Sequence, residues 1–342
     1  MRAASLLADP SANGLARIRI LPGTSFTSPY SFPVFKIPHE SRFWNRFALA
    51  VRPKGVMVNS SILGRWSKRS LLFEKGIHGF LKFKGAVFAD SGGFSVKSLD
   101  WSQGDLLDFQ REIRPNIVTT LDHPVDLTKV WPRRDRILSS IRNAEEIGKK
   151  RRADRFVLLA SVHGATAGEL QNIILRLERL GTFDGYAIGS ALTLGSDYFR
   201  LMRLVLAARV AAGTKHLHVY GTAGVSLHLL MFFLGADTVD SQGFLLSAAN
   251  GKFYMANGEM LRRKSRERVS CYCRFCRGRS PATLPREKIA YHNFEQIQND
   301  LAIAHLAIEK FRYREFLESR LRDLPQHKRA LKFATSLLRR VL

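Results

Sequence analysis

Phe156-Val157-Leu158-Leu159-Ala160-Ser161-Val162-His163-Gly164 is the stretch from which the fold of this chain is read. Seven residues, nearly all apolar, are too short for a helix and lack polar alternation, as in a strand buried on both faces. An amphipathic stretch follows over residues 167–180, and a second short apolar run stands at 185–188. Strand, helix, strand is the repeating unit of a parallel sheet.

The same rhythm extends both ways. Strands are predicted over residues 86–89, 117–121, 156–162, 185–188, 216–220 and 238–239. Helices are predicted over 104–111, 134–151, 167–180, 197–212 and 225–234. At least five such units predict an α/β fold, a (β/α)8 TIM barrel, with a doubly wound open sheet as its rival. Residues 1–60 carry Pro22-Gly23, Pro29, Pro33 and Pro38 and little helical period, so they read as strands and loops packing on the barrel. The barrel is expected over 61–260, a cysteine-bearing subdomain over 261–300 and basic C-terminal helices over 301–342, the last pair separated by Pro325.

The residues just past the predicted strands are Asp90, Asp122, His163, Gly189, Gly221 and Asp240. In a barrel such positions converge on the face where active sites form. Taken singly, each could simply start a turn or cap a helix. Three acids and a histidine in register point to a site.

The chain has 342 residues, 45% hydrophobic and 24% charged, with 54 Lys and Arg against 29 Asp and Glu. That is enough apolar sequence for a sizeable core, which excludes a disordered tail or a disulfide-stapled mini-protein. A net charge of +25 predicts a polyanionic partner. Residues 262–279 hold eight Lys or Arg and one Glu, and the tail from Leu306 onward holds ten basic and four acidic residues. No apolar run reaches the 18 or so residues of a membrane helix, the longest, over 227–236, being broken by Gly235. The opening Met1-Arg2-Ala3-Ala4-Ser5-Leu6-Leu7-Ala8-Asp9 turns acidic too soon for a signal peptide. A soluble, cytoplasmic protein without a membrane partner is expected.

All three cysteines, Cys271, Cys273 and Cys276, fall within six residues, and His292 follows. Three thiolates and an imidazole make the closed tetrahedral set that structural Zn2+ prefers, with no position open for water. His305 is the alternative fourth ligand.

Seven ordered pieces now come together: Asp90-Ser91-Gly92-Gly93-Phe94, Leu121-Asp122, Gly185-Tyr186-Ala187-Ile188-Gly189, Gly235-Ala236-Asp237-Thr238-Val239-Asp240, Ala249-Asn250-Gly251, the Cys-x-Cys-x-x-Cys set and His292-Asn293. Spread over residues 55–310, they resemble the queuine and archaeosine tRNA-guanine transglycosylase family. The resemblance implies a (β/α) barrel with an inserted zinc-binding subdomain near its last strand. It implies a pentosyltransferase that exchanges guanine in a polynucleotide for a free 7-deazaguanine base. Asp240 would be the nucleophile, Asp90 the general acid/base and Asp122 the reader of the base, in a pocket with Ser91, Gly92, Gly93, His163, Gly189, Ser190 and Gly221. A homodimer through the zinc region would be allowed.

The roles are chemically reasonable in themselves. Breaking an N-glycosidic bond builds positive charge on the sugar, which a carboxylate on the opposite face stabilises and then captures. A second carboxyl must give and take back a proton, and an ionised third accepts the N1–H and amino donors of guanine.

Where the family has Gln after the first piece, this chain has Ser95; His163 replaces a Gln, and Ser190-Ala191 replace Gly-Leu. The arginine-bearing stretch before Asn-Gly reads Gln242-Gly243-Phe244-Leu245-Leu246-Ser247-Ala248-Ala249. These departures, with the charge, resemble the family's DNA-modifying branch that inserts bases such as preQ0. DNA is expected as substrate, tRNA is the alternative, and a non-catalytic nucleic-acid-binding subunit is a third reading, opposed by the retention of Asp90 and Asp240. His218, His228 and His305 are expected to be packing or surface residues, and Trp66, Trp101 and Trp131 to lie buried on the barrel's flank.

Overall fold

The structure, a computed structural model, describes residues 12–341 apart from 23, 94–100, 130–132, 196, 223, 257 and 272. Phe94, Ser95 and Trp131 lie outside the described residues. Eight parallel strands close into a barrel: β1 (Tyr30–Phe35), β2 (Gly55–Asn59), β3 (Ala86–Asp90), β4 (Ile117–Thr119), β5 (Val157–Val162), β6 (Gly185–Ile188), β7 (His216–Val219) and β8 (Thr238–Ser241). Closure runs through β8 against β1, with Asp240 opposite Phe32, and Asn59 of β2 faces Asp90 of β3.

Around the barrel lie α1 (Ser41–Val51), α2 (Ser60–Gly64), α3 (Ser70–Leu81), α4 (Gln103–Ile113), α5 (Arg133–Lys150), α6 (Ala167–Glu178), α7 (Tyr198–Ala212) and α8 (Val225–Phe233). Their apolar spacing decides which face they bury: α6 turns Leu170, Ile173, Ile174 and Leu177 to the sheet, with Thr166 as N-cap. The apolar run at 227–236 is mostly α8, in which eight of nine residues are buried because the tail helices cover its outer side. After β8 come α9 (Gly243–Ala249), the hairpin β9 (Lys252–Tyr254) and β10 (Met260–Arg262), then α10 (Arg286–Glu309), α11 (Tyr313–Arg320) and α12 (Pro325–Val341). No helix among the described residues is long and apolar enough to cross a membrane.

Two expected boundaries move. The first two barrel strands and α1 belong to residues 1–60, so that segment is part of the barrel wall rather than packing on it. Proline-rich punctuation hid β1, whose Pro33 sits inside a strand paired on both sides. The expected break at 300 falls inside α10, which runs continuously from beside the cysteines to the C-terminal helices. Pro325, expected to separate helices, opens α12, where its missing N–H costs nothing. Trp66 and Trp101, expected to lie buried, are partly buried and packed against the core.

The floor of the barrel is closed by Asp237, just before β8. Its carboxylate accepts from Arg17 Nε (3.1 Å), Arg209 Nη2 (2.8 Å) and the Leu217 N–H (2.8 Å). Burial would raise its pKa, but the charges of Arg209, His216 and Arg17 win and hold it down at about 2.

Candidate active site and metal centre

At the opposite end, the strand termini open into a cavity of about 480 Å3. Asp90, Asp122 and Asp240 all line it, with Gly93, Gly189, Ser190, Tyr220 and Gly221, between apolar walls from Val34, Met57 and Leu192. The three acids expected from the strand ends therefore share one space, the right scale for a flat heterocycle and a sugar.

Each carboxylate has a different environment. Asp90 ends β3; its Oδ2 accepts the Gly92 N–H at 3.2 Å. Burial first, then the negative charges of Asp122 and Asp240, push its carboxyl up to about 7, against a smaller opposing pull from Tyr220 and Gly92. The Tyr220 hydroxyl is buried near Asp90 and makes no well-aligned hydrogen bond among the described residues. Asp90 thus carries a proton that it can lose near neutrality.

Asp122 is gripped on both oxygens. Ser91 Oγ donates to Oδ1 at 2.7 Å and His163 Nε2 lies 2.9 Å from Oδ2. The network fixes the imidazole tautomer. An ionised Asp122 can only accept, so His163 Nε2–H donates to it, while Ser190 Oγ, which takes the Val125 N–H (3.0 Å), stands 2.9 Å from Nδ1. Burial would raise Asp122, but the His163 contact and the Ser91 hydroxyl hold it below the ordinary carboxylate range. Two glycines make the packing possible: a Cβ at Gly93 would stand 2.4 Å from Asp122 Oδ1, and one at Gly189 2.2 Å from the His163 ring.

Asp240, in β8, accepts the Gly221 N–H on Oδ1 (2.9 Å), and His218 Nε2 lies 3.2 Å from the same atom. Oδ2 has no hydrogen-bond partner among the described residues. Burial pushes the His218 pKa down against the pull of Asp240, so the ring is neutral at neutral pH. Its Nδ1 meets Thr238 Oγ1 at 2.9 Å, and Nε2–H points at Asp240.

Sequence reasoning placed His218 among the packing residues. It is wholly buried, yet it also holds Asp240. Tyr220, Thr222, Gln242 and Lys36 at the rim were also missed. Residues 216 and 218 alternate on β7 and Tyr220 continues the period just past its end, and that set of His and Tyr was the available signal for the inward face. His228 Nε2–H donates to the Thr222 carbonyl (3.1 Å) and His305 Nε2–H to the Pro29 carbonyl (2.9 Å), as expected of packing residues.

Away from this cavity, Cys271, Cys273, Cys276 and His292 bring their ligand atoms within 4.8 Å of one another. Cys273 Sγ is 3.5 Å from Cys276 Sγ and 3.2 Å from His292 Nδ1; Cys271 Sγ is 3.9 Å from the same nitrogen. Bonds of about 2.3 Å to sulfur give tetrahedral edges of about this length. His292 Nε2 meets the Tyr254 carbonyl at 2.7 Å, which places the proton there and turns the Nδ1 lone pair toward the thiols. His305 takes no part. The donor set therefore fits a closed tetrahedral metal.

A sequence model of the family described as queuine tRNA-ribosyltransferase matches residues 22–326. A tRNA-guanine(15) transglycosylase of Methanosarcina acetivorans is 26% identical over 283 residues, covering 79% of this chain and 58% of that protein. One from Methanococcus maripaludis is 27% identical over 277 residues, covering 75% of this chain and 42% of that protein. The chain spans about half the length of the curated relatives it matches.

Proposed function

The chain belongs to the queuine tRNA-ribosyltransferase family, and from that premise we propose that it is a pentosyltransferase exchanging guanine in a polynucleotide for a 7-deazaguanine base. The observation that carries this reading is the convergence of three carboxyl groups, each with different hydrogen-bond partners, on one cavity. Asp240 Oδ2 attacks C1′ as the bond to guanine breaks, and Asp90 gives the departing base its proton. The covalent aspartyl-sugar ester persists while guanine leaves. The incoming base loses its proton to Asp90 and displaces Asp240 from C1′, restoring both carboxyl groups and, after two inversions, the original anomer. Asp122, kept ionised, accepts the N1–H and amino hydrogens of the base, while His163, Ser91 and the backbone at Gly189 and Ser190 set its position.

The relatives' names favour tRNA as the polynucleotide. DNA, expected from the sequence, stands as the second reading on one observation: α9, which runs from the cavity, presents Gly243 and Leu246 there and carries no arginine. Incubation with labelled guanine and either bulk tRNA or plasmid DNA tests all of this. Label in tRNA supports the first reading, label in DNA the second, and label in neither overturns base exchange.

Zn2+ is the metal proposed for Cys271, Cys273, Cys276 and His292, where it supplies a structural tie and no chemistry at C1′. Chelation is expected to release one metal ion per chain and to expose the thiols to alkylation. Purified protein with no bound zinc and unreactive thiols would contradict it.

A further inference from the structure

Behind Asp240 three side chains stand in line. His216 and His218 of β7 and Thr238 and Asp240 of β8 share the inward face of two neighbouring strands, with Thr238 paired directly against His218. The four interlock in a zigzag. His216 Nε2 lies 2.8 Å from Thr238 Oγ1, the same oxygen lies 2.9 Å from His218 Nδ1, and His218 Nε2 lies 3.2 Å from Asp240 Oδ1. His218 and Thr238 are wholly buried, and His216 and Asp240 nearly so.

The chain has a direction. A carboxylate can only accept, so His218 Nε2–H donates to Asp240. Burial keeps that ring neutral, which leaves Nδ1 an acceptor and makes the Thr238 hydroxyl its donor. A hydroxyl has one hydrogen, so His216 Nε2–H in turn donates to the Thr238 oxygen. Every donor points toward Asp240. A ring that only filled space beside Phe88, 4.7 Å away between centroids, would need no such order. The Gly221 N–H falls on Oδ1 as well, so both donors hold one oxygen and leave Oδ2 to react.

We propose that His218, oriented by Thr238 and His216, is a positioning residue that sets the balance between the free carboxylate of Asp240 and its ester with the sugar. The proposal rests on the base-exchange reading. When Oδ2 bonds to C1′ and the bond from C1′ to guanine breaks, the base leaves with the Asp90 proton, the carboxylate charge is lost and Oδ1 becomes an ester carbonyl. A hydrogen bond to a charged acceptor is about twice as strong as one to a neutral acceptor, so His218 stabilises the carboxylate more than the ester. It thereby makes Asp240 the better leaving group in the second displacement and keeps the covalent intermediate from accumulating.

The test is made at equilibrium on the full-length protein, with a saturating amount of the nucleic acid in which the wild type exchanges base. The covalent adduct is quantified on denaturing gels over a range of added guanine, which reverses it. His218→Met keeps an apolar contact with Phe88 and removes the donor. The guanine concentration that halves the adduct is expected to rise about tenfold, and His218→Gln, whose amide replaces Nε2–H, to bring it back toward the wild-type value. A nucleophile that is merely misaligned changes the time taken to reach the plateau and not the half-point, so an unchanged or lower half-point overturns the proposal. Should His218→Met fail to fold, Thr238→Val keeps the shape of the strand and removes the hydroxyl that orients the ring; a rise of about threefold is expected, and no rise overturns the proposal. Base exchange with no adduct in either the wild type or His218→Met overturns this proposal alone, whereas a wild type that exchanges no base overturns base exchange and the proposal with it.

Discussion

Two aspartates bracket the same short strand and meet opposite surroundings. Asp237, at the floor of the barrel, is saturated: guanidinium groups of Arg17 and Arg209 and a backbone N–H occupy its oxygens. Asp240, at the mouth, has one oxygen held by Gly221 and His218 and the other left open toward a cavity that it shares with two more carboxylates. A carboxylate whose lone pairs and charge are all answered holds strands together. One that is oriented but incompletely answered, among like charges, is available for chemistry.

The largest effect expected from this contrast is at the mouth. Asp240→Asn should lower base exchange by about 10⁴-fold or more while leaving the urea midpoint of unfolding where it was. A variant retaining a tenth of the wild-type rate would remove the distinction. Asp237→Ala should do the reverse: with Arg209 left buried and uncompensated, stability in urea should fall by about 3–5 kcal/mol, with exchange per folded molecule unaltered.

The two ends should also respond to acid with opposite sign. Asp237, held at about 2 in the folded chain, stabilises it above the ordinary carboxylate range and loses that contribution as pH falls from about 4 toward 2. Asp90, raised to about 7, binds its proton more tightly in the folded chain, so its contribution is present below about 4 and is lost as pH rises toward 7. Stability measured against pH should therefore decline less steeply between 4 and 7 in Asp90→Asn, and an identical profile would refute the assignment. The smallest effect concerns coupling within the mouth. Removing the negative charge in Asp122→Asn should lower the Asp90 pKa, moving the high-pH limb of kcat for base exchange downward by on the order of one unit.

Much of this is legible in the sequence. The strands after residue 83 announce themselves because each apolar run is short and is followed by a helix of regular spacing, and a barrel with such a repeat must gather Asp90, Asp122 and Asp240 at one rim. β1 was not legible: Tyr30-Ser31-Phe32-Pro33-Val34-Phe35 contains a residue that ordinarily ends a strand, and only ring closure against β8 explains its place. His218 was misread because a buried histidine on a strand looks the same whether it fills space or holds a carboxylate; the difference lies in β8, twenty residues away in sequence and next to it in space.

Helix α10 starts with Arg286, offers His292 to the thiol cluster and joins Asn293 to the Tyr254 N–H and the Phe244 and Lys252 carbonyls, before His305 reaches the Pro29 carbonyl beside β1. A single rod thus gauges the distance from hairpin to barrel, and neither end can swing without tearing contacts along its length. The spacing between hairpin and barrel is therefore set before any ligand arrives.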